Sequence, residues 1–425
     1  MATSSRVAVA RALHLVFGEG SRVPDSWAAD LAPEDAGLAN AILGLCLRRW
    51  GSLQAHCRPQ LKDPARGLPL GTQVTLAIGL AQLAWLPGVS DHAAVNEAVE
   101  LANMREVGFP PHKGLVNAIL RRAAHNRPTL RAALDAQDPA LDRSAFTSRV
   151  LRAALAPRAQ DGLELLWKRL QAPPRLHFRA LDGNPAPAGL EPVPALAGAL
   201  ALGPDASFPR EWLARGAGMV QDLSSQALLA FHWERPVTRI LDACSAPGGK
   251  ATGLSRRFPE AQLTALERHA IRAQRLRDNL QLRQVPAEIV IEDAAAWMRR
   301  GGPAFDLILL DAPCSGSGTL HKHPELNWLG DSLDLERLRR TQAELLAAAL
   351  PRLAPGGLLI YAVCSWLPEE GQAHLEQTLA QQPGFRPAPI WPAGMGAESG
   401  PASFFRPDPL VWPGEGFQAF ALTRE

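Results

Sequence analysis

Short apolar runs alternate with helical patterns from about residue 216 onward, and this alternation constrains the fold more than any other feature of the sequence. Such strand-then-helix alternation predicts a doubly wound parallel sheet with helices on both faces. Ligands of such sheets bind beyond the carboxyl ends of the strands. The runs that predict strands are VTRILDAC (237–244), QLTALE (262–267), AEIVIED (287–293), FDLILLDAP (305–313) and GGLLIYAVCS (356–365).

The rest of the 425-residue chain carries different patterns, so we predict a multidomain protein. Residues 1–135 show apolar residues at helical spacing and no strand pattern, which predicts an all-α domain. Within it, Asp91 is predicted to cap a helix that follows the turn Pro87–Gly88. The proline-rich residues 136–215 are predicted to form a small α+β connector, and residues 216–425 the α/β domain.

Composition and charge argue against several classes of protein. No apolar run reaches the roughly 18–20 residues that a membrane-spanning helix needs, and the N-terminus lacks a signal-peptide pattern, so we expect a cytoplasmic protein. The 5 cysteines have no C-x-x-C spacing, which argues against a disulfide framework or a metal site. The net charge is only +2, and a mild excess of arginine in the N-terminal half fits RNA binding and ordinary surface variation about equally. We expect the chain to act as a monomer.

The first strand of the α/β domain runs into the segment DACSAPGGK (242–250), which predicts a ligand-binding turn. Gly248 and Gly249 lack Cβ atoms, so the backbone can turn tightly and approach a ligand, and the following helix offers free N–H groups. The spacing is neither that of a P-loop nor that of G-x-G-x-x-G. A glycine pair after a strand, taken alone, is equally typical of an ordinary turn.

Two carboxylates at the ends of the next strands favour an adenosine-containing ligand. Glu267 ends the second strand, where an acid can accept both hydroxyls of a ribose, and Asp293 ends the third, within reach of an adenine amino group. Each acid alone is more often a helix cap or a turn residue. Together with the glycine turn, and without a phosphate-binding motif, they favour S-adenosylmethionine over NAD or ATP.

Two cysteines follow the fourth and fifth strands, in the segments LDAPCSGSG (310–318) and YAVCS (361–365). Both segments emerge at one edge of the sheet, so Cys314 and Cys364 are predicted to face one pocket. A thiolate that adds to carbon 6 of cytosine makes carbon 5 nucleophilic enough to accept a methyl group. The spacing does not decide which of the two cysteines attacks.

Other residues extend this hypothesis. Asp311 is predicted to act on the cytosine ring nitrogen, and Lys250 or a helix N-terminus to lower the pKa of the attacking thiol. Cys46 and Cys57 lie on predicted helices and are interpreted as small buried apolar residues. Enzymes that methylate amino groups typically carry an N-P-P-Y-like segment on the fourth strand, so the sequence DAPC points away from them.

Three segments, DACSAPGGK, LDAPCSGSGTLHKHPELNW and YAVCSWLPEE, resemble the motifs of the bacterial RsmB/Sun (Fmu) family of rRNA cytosine-5 methyltransferases, within the NOL1/NOP2/Sun group. This resemblance covers roughly residues 216–425. VSDHAAVNEAVELANM and HKGLVNAILRR are similar to the NusB-like RNA-binding domain of that family. The resemblance implies an N-terminal all-α NusB-like domain and a C-terminal α/β, Rossmann-like, seven-stranded methyltransferase domain that uses S-adenosylmethionine.

The same resemblance implies a partner and roles for the site residues. The substrate would be a cytosine of 16S rRNA, in a free or partly assembled small subunit. Cys364 would be the nucleophile, Cys314 would assist product release or deprotonation, and Asp311 would serve both the chemistry and the cofactor. The cofactor-binding residues that it implies are Cys244, Ser245, Ala246, Pro247, Gly248, Gly249, Lys250, Glu267, Asp293 and Asp311.

Several positions depart from the motifs of that family. The usual threonine after the motif lysine is Ala251, and the threonine before the expected nucleophile is Val363. RRHP becomes HKHP at 321–324, and DGFF becomes EGFQ at 415–418. These departures bear on substrate fit and rate more than on reaction type. Two alternatives stay open: the same chemistry on tRNA, and an RNA-binding or assembly factor in which methylation is secondary.

Overall fold

The computed structural model describes residues 3–24, 26–156, 162–380, 382–392 and 403–425. Its helices are α1 (Ser4–Glu19), α2 (Pro33–Arg48), α3 (Trp50–Cys57), α4 (Leu70–Trp85), α5 (Asp91–Asn103), α6 (Lys113–His125), α7 (Arg127–Asp135), α8 (Ala145–Leu155), α9 (Leu163–Gln171), α10 (Arg210–Ala214), α11 (Leu223–Leu228), α12 (Gly249–Arg257), α13 (Ala270–Leu282), α14 (Ala294–Arg299), α15 (Leu326–Leu329), α16 (Leu335–Ala349) and α17 (Gln372–Leu379). Its strands are β1 (His177–Ala180), β2 (Leu190–Pro192), β3 (Ala199–Leu202), β4 (Gly218–Val220), β5 (Arg239–Asp242), β6 (Gln262–Leu266), β7 (Glu288–Val290), β8 (Phe305–Asp311), β9 (Leu353–Val363), β10 (Phe385–Pro387), β11 (Phe404–Phe405) and β12 (Gln418–Arg424).

In the first of two compact units, Met1–Arg149 with Lys322–Leu333, the regular elements of the described residues are all helices. Helix α4 is at its centre, because twelve of the sixteen residues of this helix are buried. The buried amide of Gln82 is satisfied, since its oxygen accepts the Nε–H of Arg6 at 3.0 Å. The prediction of an N-terminal all-α domain is confirmed.

Helix α5 is capped one residue earlier than the sequence predicts. Ser90 is the N-cap, and its hydroxyl oxygen accepts the backbone N–H of Ala93 at 3.2 Å. Asp91 is the first helical residue and forms an ion pair with Arg127. The prediction of Asp91 as the cap was wrong, because serine and aspartate cap equally well and the sequence does not choose between neighbours.

A segment from much later in the chain, Lys322–Leu333, completes this helical unit. The indole Nε1–H of Trp328 donates to the carbonyl of Leu47 at 2.7 Å, and the side-chain amide of Asn327 donates to the carbonyl of Asp142 at 2.8 Å. The Trp328 ring also packs against the core that surrounds α4. The helical unit is therefore discontinuous in sequence.

The second unit, Val150–His321 with Asp334–Glu425, contains two sheets. Strands β1 to β4 form a small antiparallel sheet in the order β2-β3-β1-β4. The larger sheet has the order β10-β12-β9-β8-β5-β6-β7, with β11 paired to β12. Strands β5 to β9 are parallel, as the sequence predicts. The last three strands add an antiparallel edge that the sequence analysis did not foresee.

The larger sheet has a topological switch point between β5 and β8. The chain proceeds from β5 to β6 and β7 on one side, whereas β8 and β9 lie on the other side of β5. In an open parallel sheet a crevice forms at such a point, beyond the carboxyl ends of the strands. The predicted Rossmann-like architecture is confirmed, and it places the loops after β5, β6, β8 and β9 at one edge.

Two expectations from the sequence stay predictions, namely the division into residues 1–135, 136–215 and 216–425 and the monomeric state. None of the helices in the described ranges is long and apolar enough to cross a membrane.

Candidate active site

The loop between β5 and α12 makes a turn that requires glycine at one position. Gly248 has a φ of 102°, and a Cβ atom built there would lie 2.9 Å from Cδ1 of Leu276. The N–H of Gly248 donates to the carbonyl of Ser245 at 2.7 Å, and α12 begins at Gly249. The loop therefore brings bare backbone and the first-turn N–H groups of α12 to the carboxyl end of β5, an arrangement that suits an adenosine-containing ligand.

Two side chains of helix α13 hold this loop by donating hydrogen bonds to two carbonyl groups of the loop. The Nη2 atom of Arg272 donates to the carbonyl of Ala246 at 3.1 Å. The Nδ2 atom of Asn279 donates to the carbonyl of Pro247 at 2.9 Å. The shape of the loop is thus fixed by the neighbouring helix as well as by its own sequence.

Asp242, the last residue of β5, is buried below the loop and accepts the Ser245 hydroxyl at 2.9 Å. Burial raises the pKa of Asp242 to about 7; the Ser245 hydrogen bond opposes this shift and the nearby charge of Asp311 adds to it. Burial, followed by the charges of Asp311 and Asp242, also raises the pKa of Cys244. Cys244 is therefore held as a neutral thiol and is a poor nucleophile.

The two acids predicted to hold adenosine have different surroundings. Glu267 follows β6 and is only 4% exposed; its Oε1 atom accepts the N–H of His269 at 2.9 Å, and its Oε2 atom lies 3.5 Å from Arg272. Asp293, after β7, is exposed, and its Oδ1 atom accepts the N–H of Ala296 at 2.9 Å as the N-cap of α14. Asp293 thus has a local capping role whether or not it also contacts a ligand.

Lys250 and Asp311 form an ion pair between α12 and the end of β8. The Nζ atom of Lys250 donates to Oδ2 of Asp311 at 2.7 Å, and the Lys250 side chain is only 16% exposed. Burial alone would lower the pKa of Lys250, but the charge and hydrogen bond of Asp311 and the charge of Cys364 outweigh burial, so this pKa is raised. Lys250 is therefore a fixed positive charge close to one of the two strand-end thiols.

The loops after β8 and β9 bring Cys314 and Cys364 together. Their Sγ atoms are 3.4 Å apart, and both residues are half-buried. The carbonyl of Cys364 accepts the N–H of Gly318 at 3.1 Å, which ties the two loops together. The pKa of Cys314 is raised well above its usual range, first by its hydrogen bond to Cys364 and then by burial, with the charges of Cys364 and Glu370 adding to the effect.

The sequence analysis missed one buried carboxylate in this region, that of Glu370. Its oxygens accept the N–H of Ser315 at 2.8 Å, the hydroxyls of Ser315 and Ser365 at 2.5 and 2.7 Å, and the Nε2–H of Gln342 at 3.2 Å. The residue stands in the segment YAVCSWLPEE, but its burial leaves no signal there, because an acid after a strand usually faces solvent.

The remaining cysteines are far less suited to chemistry. Cys46 and Cys57 are buried on α2 and α3, as the sequence predicts. Burial raises the pKa of Cys57 to about 12 and also raises that of Cys46. Within the part of the chain that the structure describes, no group of three or more His, Cys, Asp or Glu side chains is arranged to hold a metal ion.

A Rossmann-like sheet with this turn and these strand-end acids is that of an S-adenosylmethionine-dependent methyltransferase. Residues 231–419 match the family model described as 16S rRNA methyltransferase RsmB/F. The chain is 34% identical over 411 residues to a ribosomal RNA small subunit methyltransferase B of Xanthomonas campestris pv. campestris, covering 91% of this chain and 90% of the relative. The chain therefore belongs to the RsmB/F family of rRNA methyltransferases.

Further comparisons agree with this assignment. The protein of the same description from Vibrio cholerae serotype O1 is 30% identical over 399 residues, covering 90% of each chain. Residues 4–125 match the NusB family model, which confirms the NusB-like domain. Among solved structures, the crystal structure of PH0851 superposes with a TM-score of 0.74 at 18% identity and covers 100% of both chains, which supports the fold alone.

Proposed function

We propose that this rRNA methyltransferase transfers a methyl group to carbon 5 of a cytosine in 16S rRNA, through a covalent bond between Cys364 and carbon 6. The observation that carries the proposal is the 3.4 Å separation of the Cys314 and Cys364 sulfur atoms, near the Lys250–Asp311 ion pair. Methylation of an amino or hydroxyl group needs no thiol, whereas carbon 5 of cytosine must first be activated by a nucleophile. Family membership supports rRNA as the substrate.

The cofactor is proposed to bind at the carboxyl ends of β5, β6, β7 and β8. The glycine turn supports this placement, because it leaves backbone and helix N–H groups uncovered there. When bound, S-adenosylmethionine supplies an electrophilic methyl group. The residues proposed to hold it are Cys244, Ser245, Ala246, Pro247, Gly248, Gly249, Lys250, Glu267, Asp293 and Asp311.

Cys364 is proposed as the nucleophile, since the ammonium group of Lys250 stabilises negative charge near it. Its thiol releases a proton to solvent, and the thiolate forms a bond to carbon 6. The electron pair of the C5=C6 bond forms a C4=C5 bond, and the electron pair of the C4=N3 bond moves to ring nitrogen 3. That nitrogen takes a proton from the Lys250–Asp311 pair. Carbon 5 then has the electron pair that it needs to accept the methyl group.

Cys314 is proposed to act after the methyl group has been transferred. A Cys364 sulfur bonded to carbon 6 is neutral and is a poorer hydrogen-bond acceptor than a thiolate, which weakens the hydrogen bond that is the chief cause of the raised pKa of Cys314 and removes the charge of Cys364 as well. Cys314 can then lose its proton to solvent and take the hydrogen of carbon 5. The electron pair left behind restores the C5=C6 bond, expels the Cys364 thiolate and returns the proton of ring nitrogen 3 to the Lys250–Asp311 pair.

The substrate is proposed to be free 16S rRNA or a partly assembled small subunit. The ring must leave its stack for carbon 6 to reach Cys364, so an accessible loop suits the reaction better than a long duplex. We further propose that the chain acts as a monomer in the cytoplasm.

Trapping with RNA that contains 5-fluorocytosine tests this proposal, because fluorine at carbon 5 cannot leave as a proton does. The wild-type protein is expected to form a stable covalent adduct, and Cys364→Ala is expected to lose both adduct and methylation. Cys314→Ala is expected to form an adduct even with unmodified RNA, because attack remains and release does not. Adducts are detected on denaturing gels.

Cys46→Ala is the matched control, since this buried cysteine lies on α2 and should leave trapping unchanged. An adduct with Cys364→Ala but none with Cys314→Ala would reverse the two roles. If the wild-type protein methylates an RNA but forms no adduct with the 5-fluorocytosine version of that RNA, the covalent mechanism is excluded.

A further inference from the structure

The buried carboxylate of Glu370 touches both cysteine-bearing loops at the residue after each cysteine. Ser315, next to Cys314, donates its N–H and its hydroxyl to Glu370 at 2.8 and 2.5 Å. Ser365, next to Cys364, donates its hydroxyl at 2.7 Å. One fully buried side chain therefore sets the spacing of the two loops whose sulfur atoms are 3.4 Å apart.

Four groups of the described residues hydrogen-bond to this carboxylate, and each of them is a donor. Besides the three serine groups, Gln342 on α16 donates its Nε2–H to Glu370 at 3.2 Å and to the carbonyl of Pro313 at 2.9 Å. An ionised carboxylate only accepts hydrogen bonds, so this environment matches a charged Glu370. Burying a charge is unfavourable unless hydrogen bonds compensate it. A neutral side chain of similar size would hold the loops at a lower cost in free energy.

The position of this charge bears on the protonation of the thiol pair. Two thiols in hydrogen-bond contact readily hold one negative charge and resist a second, so their protons are shared by the pair. Glu370 raises the pKa of Cys314, whereas Lys250 interacts with the charge of Cys364. Among the described residues, Glu370 and Tyr361 interact with Cys314, and Lys250 interacts with Cys364. Lys250 interacts in turn with Asp311 and Asp242.

We propose that Glu370 is a positioning residue for methyl transfer, which fixes the two cysteine loops and directs the single negative charge of the thiol pair to Cys364 rather than Cys314. This inference rests on the proposed function, because it assigns Cys364 the attack. Cys314 keeps its proton until Cys364 has bonded to carbon 6. A purely structural Glu370 would fix the loops but would not influence which thiol ionises.

Glu370→Gln separates a purely structural role, fixing the two loops, from an electrostatic role, deciding which thiol ionises. The glutamine oxygen can replace Oε1, which accepts the two N–H donors, and its NH₂ group can donate to the serine hydroxyls, which rotate to accept. The contacts are thus retained and the charge is removed. Glu370→Asp keeps the charge and shortens the side chain. Glu369→Gln is the matched control, one residue away and only half-buried.

The test measures alkylation of Cys314 by iodoacetamide against pH, by peptide mass spectrometry, in a Cys364→Ala background. Removing the negative charge of Glu370 lowers the pKa of Cys314, so Glu370→Gln is expected to move half-maximal alkylation to lower pH by on the order of one unit. Glu370→Asp is expected to stay close to the parent, and Glu369→Gln to match it. Retained affinity for S-adenosylmethionine shows that each variant is folded.

The same substitutions in the otherwise unchanged protein measure turnover on rRNA. Glu370→Gln is expected to lower kcat by about tenfold with little change in the KM for S-adenosylmethionine. An unshifted alkylation profile, with or without lower turnover, overturns the proposal. Wild-type trapping by 5-fluorocytosine RNA is run in parallel, because its absence would refute the covalent mechanism and not the role of Glu370.

Discussion

Two sulfur atoms 3.4 Å apart accept one negative charge far more easily than two. At the residue scale this separates cysteines that look alike in the sequence. Burial and the charges of Asp311 and Asp242 hold the thiol of Cys244 neutral. The thiol of Cys314 is held neutral first by its hydrogen bond to Cys364 and then by burial. The spacing of the motifs leaves open which thiol attacks. Cys364 remains the proposed nucleophile, a proposal supported by the nearby charge of Lys250 and by the family resemblance.

Replacing the glycine of the turn at position 248 tests whether the turn requires glycine there. Gly248→Ala places a Cβ atom at a φ of 102° and 2.9 Å from Leu276, so we expect it to lower the free energy of unfolding by about 1–3 kcal/mol. Because the loop backbone must shift, affinity for S-adenosylmethionine should fall as well. Urea denaturation and calorimetric titration measure the two effects.

Gly249→Ala is the stability control for this change. A Cβ atom at Gly249 would lie 3.5 Å from the Nε2 atom of Gln221, an ordinary contact, and this residue lies in a helix. The free energy of unfolding of the Gly249→Ala variant should therefore stay close to that of the wild type. Equal stability of the Gly248 and Gly249 variants would contradict the strain argument.

Side-chain burial marks the limit of what the sequence reveals at this scale. The turn at 242–250 and the two strand-end cysteines are recognisable from residue type and position. The buried carboxylate of Glu370 is not recognisable, because two of its partners, Ser315 and Gln342, come from segments distant in the sequence. Asp293 is the N-cap of α14, the role that the sequence favours for such an acid taken alone, and its position near adenine stays a prediction.

At the scale of elements, five strands of the larger sheet are predictable because they are continuous apolar runs between helical patterns. Their ends are less predictable. The run AEIVIED at 287–293 contains a strand of only three residues, Glu288–Val290, and its last two acids, Glu292 and Asp293, lie in the turn and cap that follow. The antiparallel strand Gln418–Arg424 pairs with β9, which precedes it by more than fifty residues, and local patterns carry no information about such pairing.

The cap of α5 offers an element-scale prediction. Ser90→Ala removes the acceptor of the Ala93 N–H, so we expect a loss of about 1 kcal/mol in the free energy of unfolding, measured by urea denaturation. Ser90→Asp retains a capping oxygen and should remain close to the wild type. If Ser90→Ala costs nothing, the helix is not stabilised by this cap.

At the scale of the whole molecule, the natural target can be found in cells. Bisulfite sequencing of total RNA from a deletion strain should show the loss of one 5-methylcytosine in 16S rRNA, because carbon 5 of an rRNA cytosine is the proposed acceptor. Re-expression of the wild-type protein should restore it, and Cys364→Ala should not. Loss of a tRNA site would instead move the same chemistry to tRNA. An unchanged methylation map would favour an assembly factor with secondary methylation.

The helical unit contains Lys322–Leu333, whose Trp328 and Asn327 bond to the backbone of the N-terminal helices and the turn after them. A ribosome translates the glycine turn and Cys314 before it reaches that segment. The helical unit is consequently started first during synthesis, but its last segment is made only after Val150–His321 of the second unit. A gene fragment that stops before residue 322 encodes helices whose core lacks one of its own pieces.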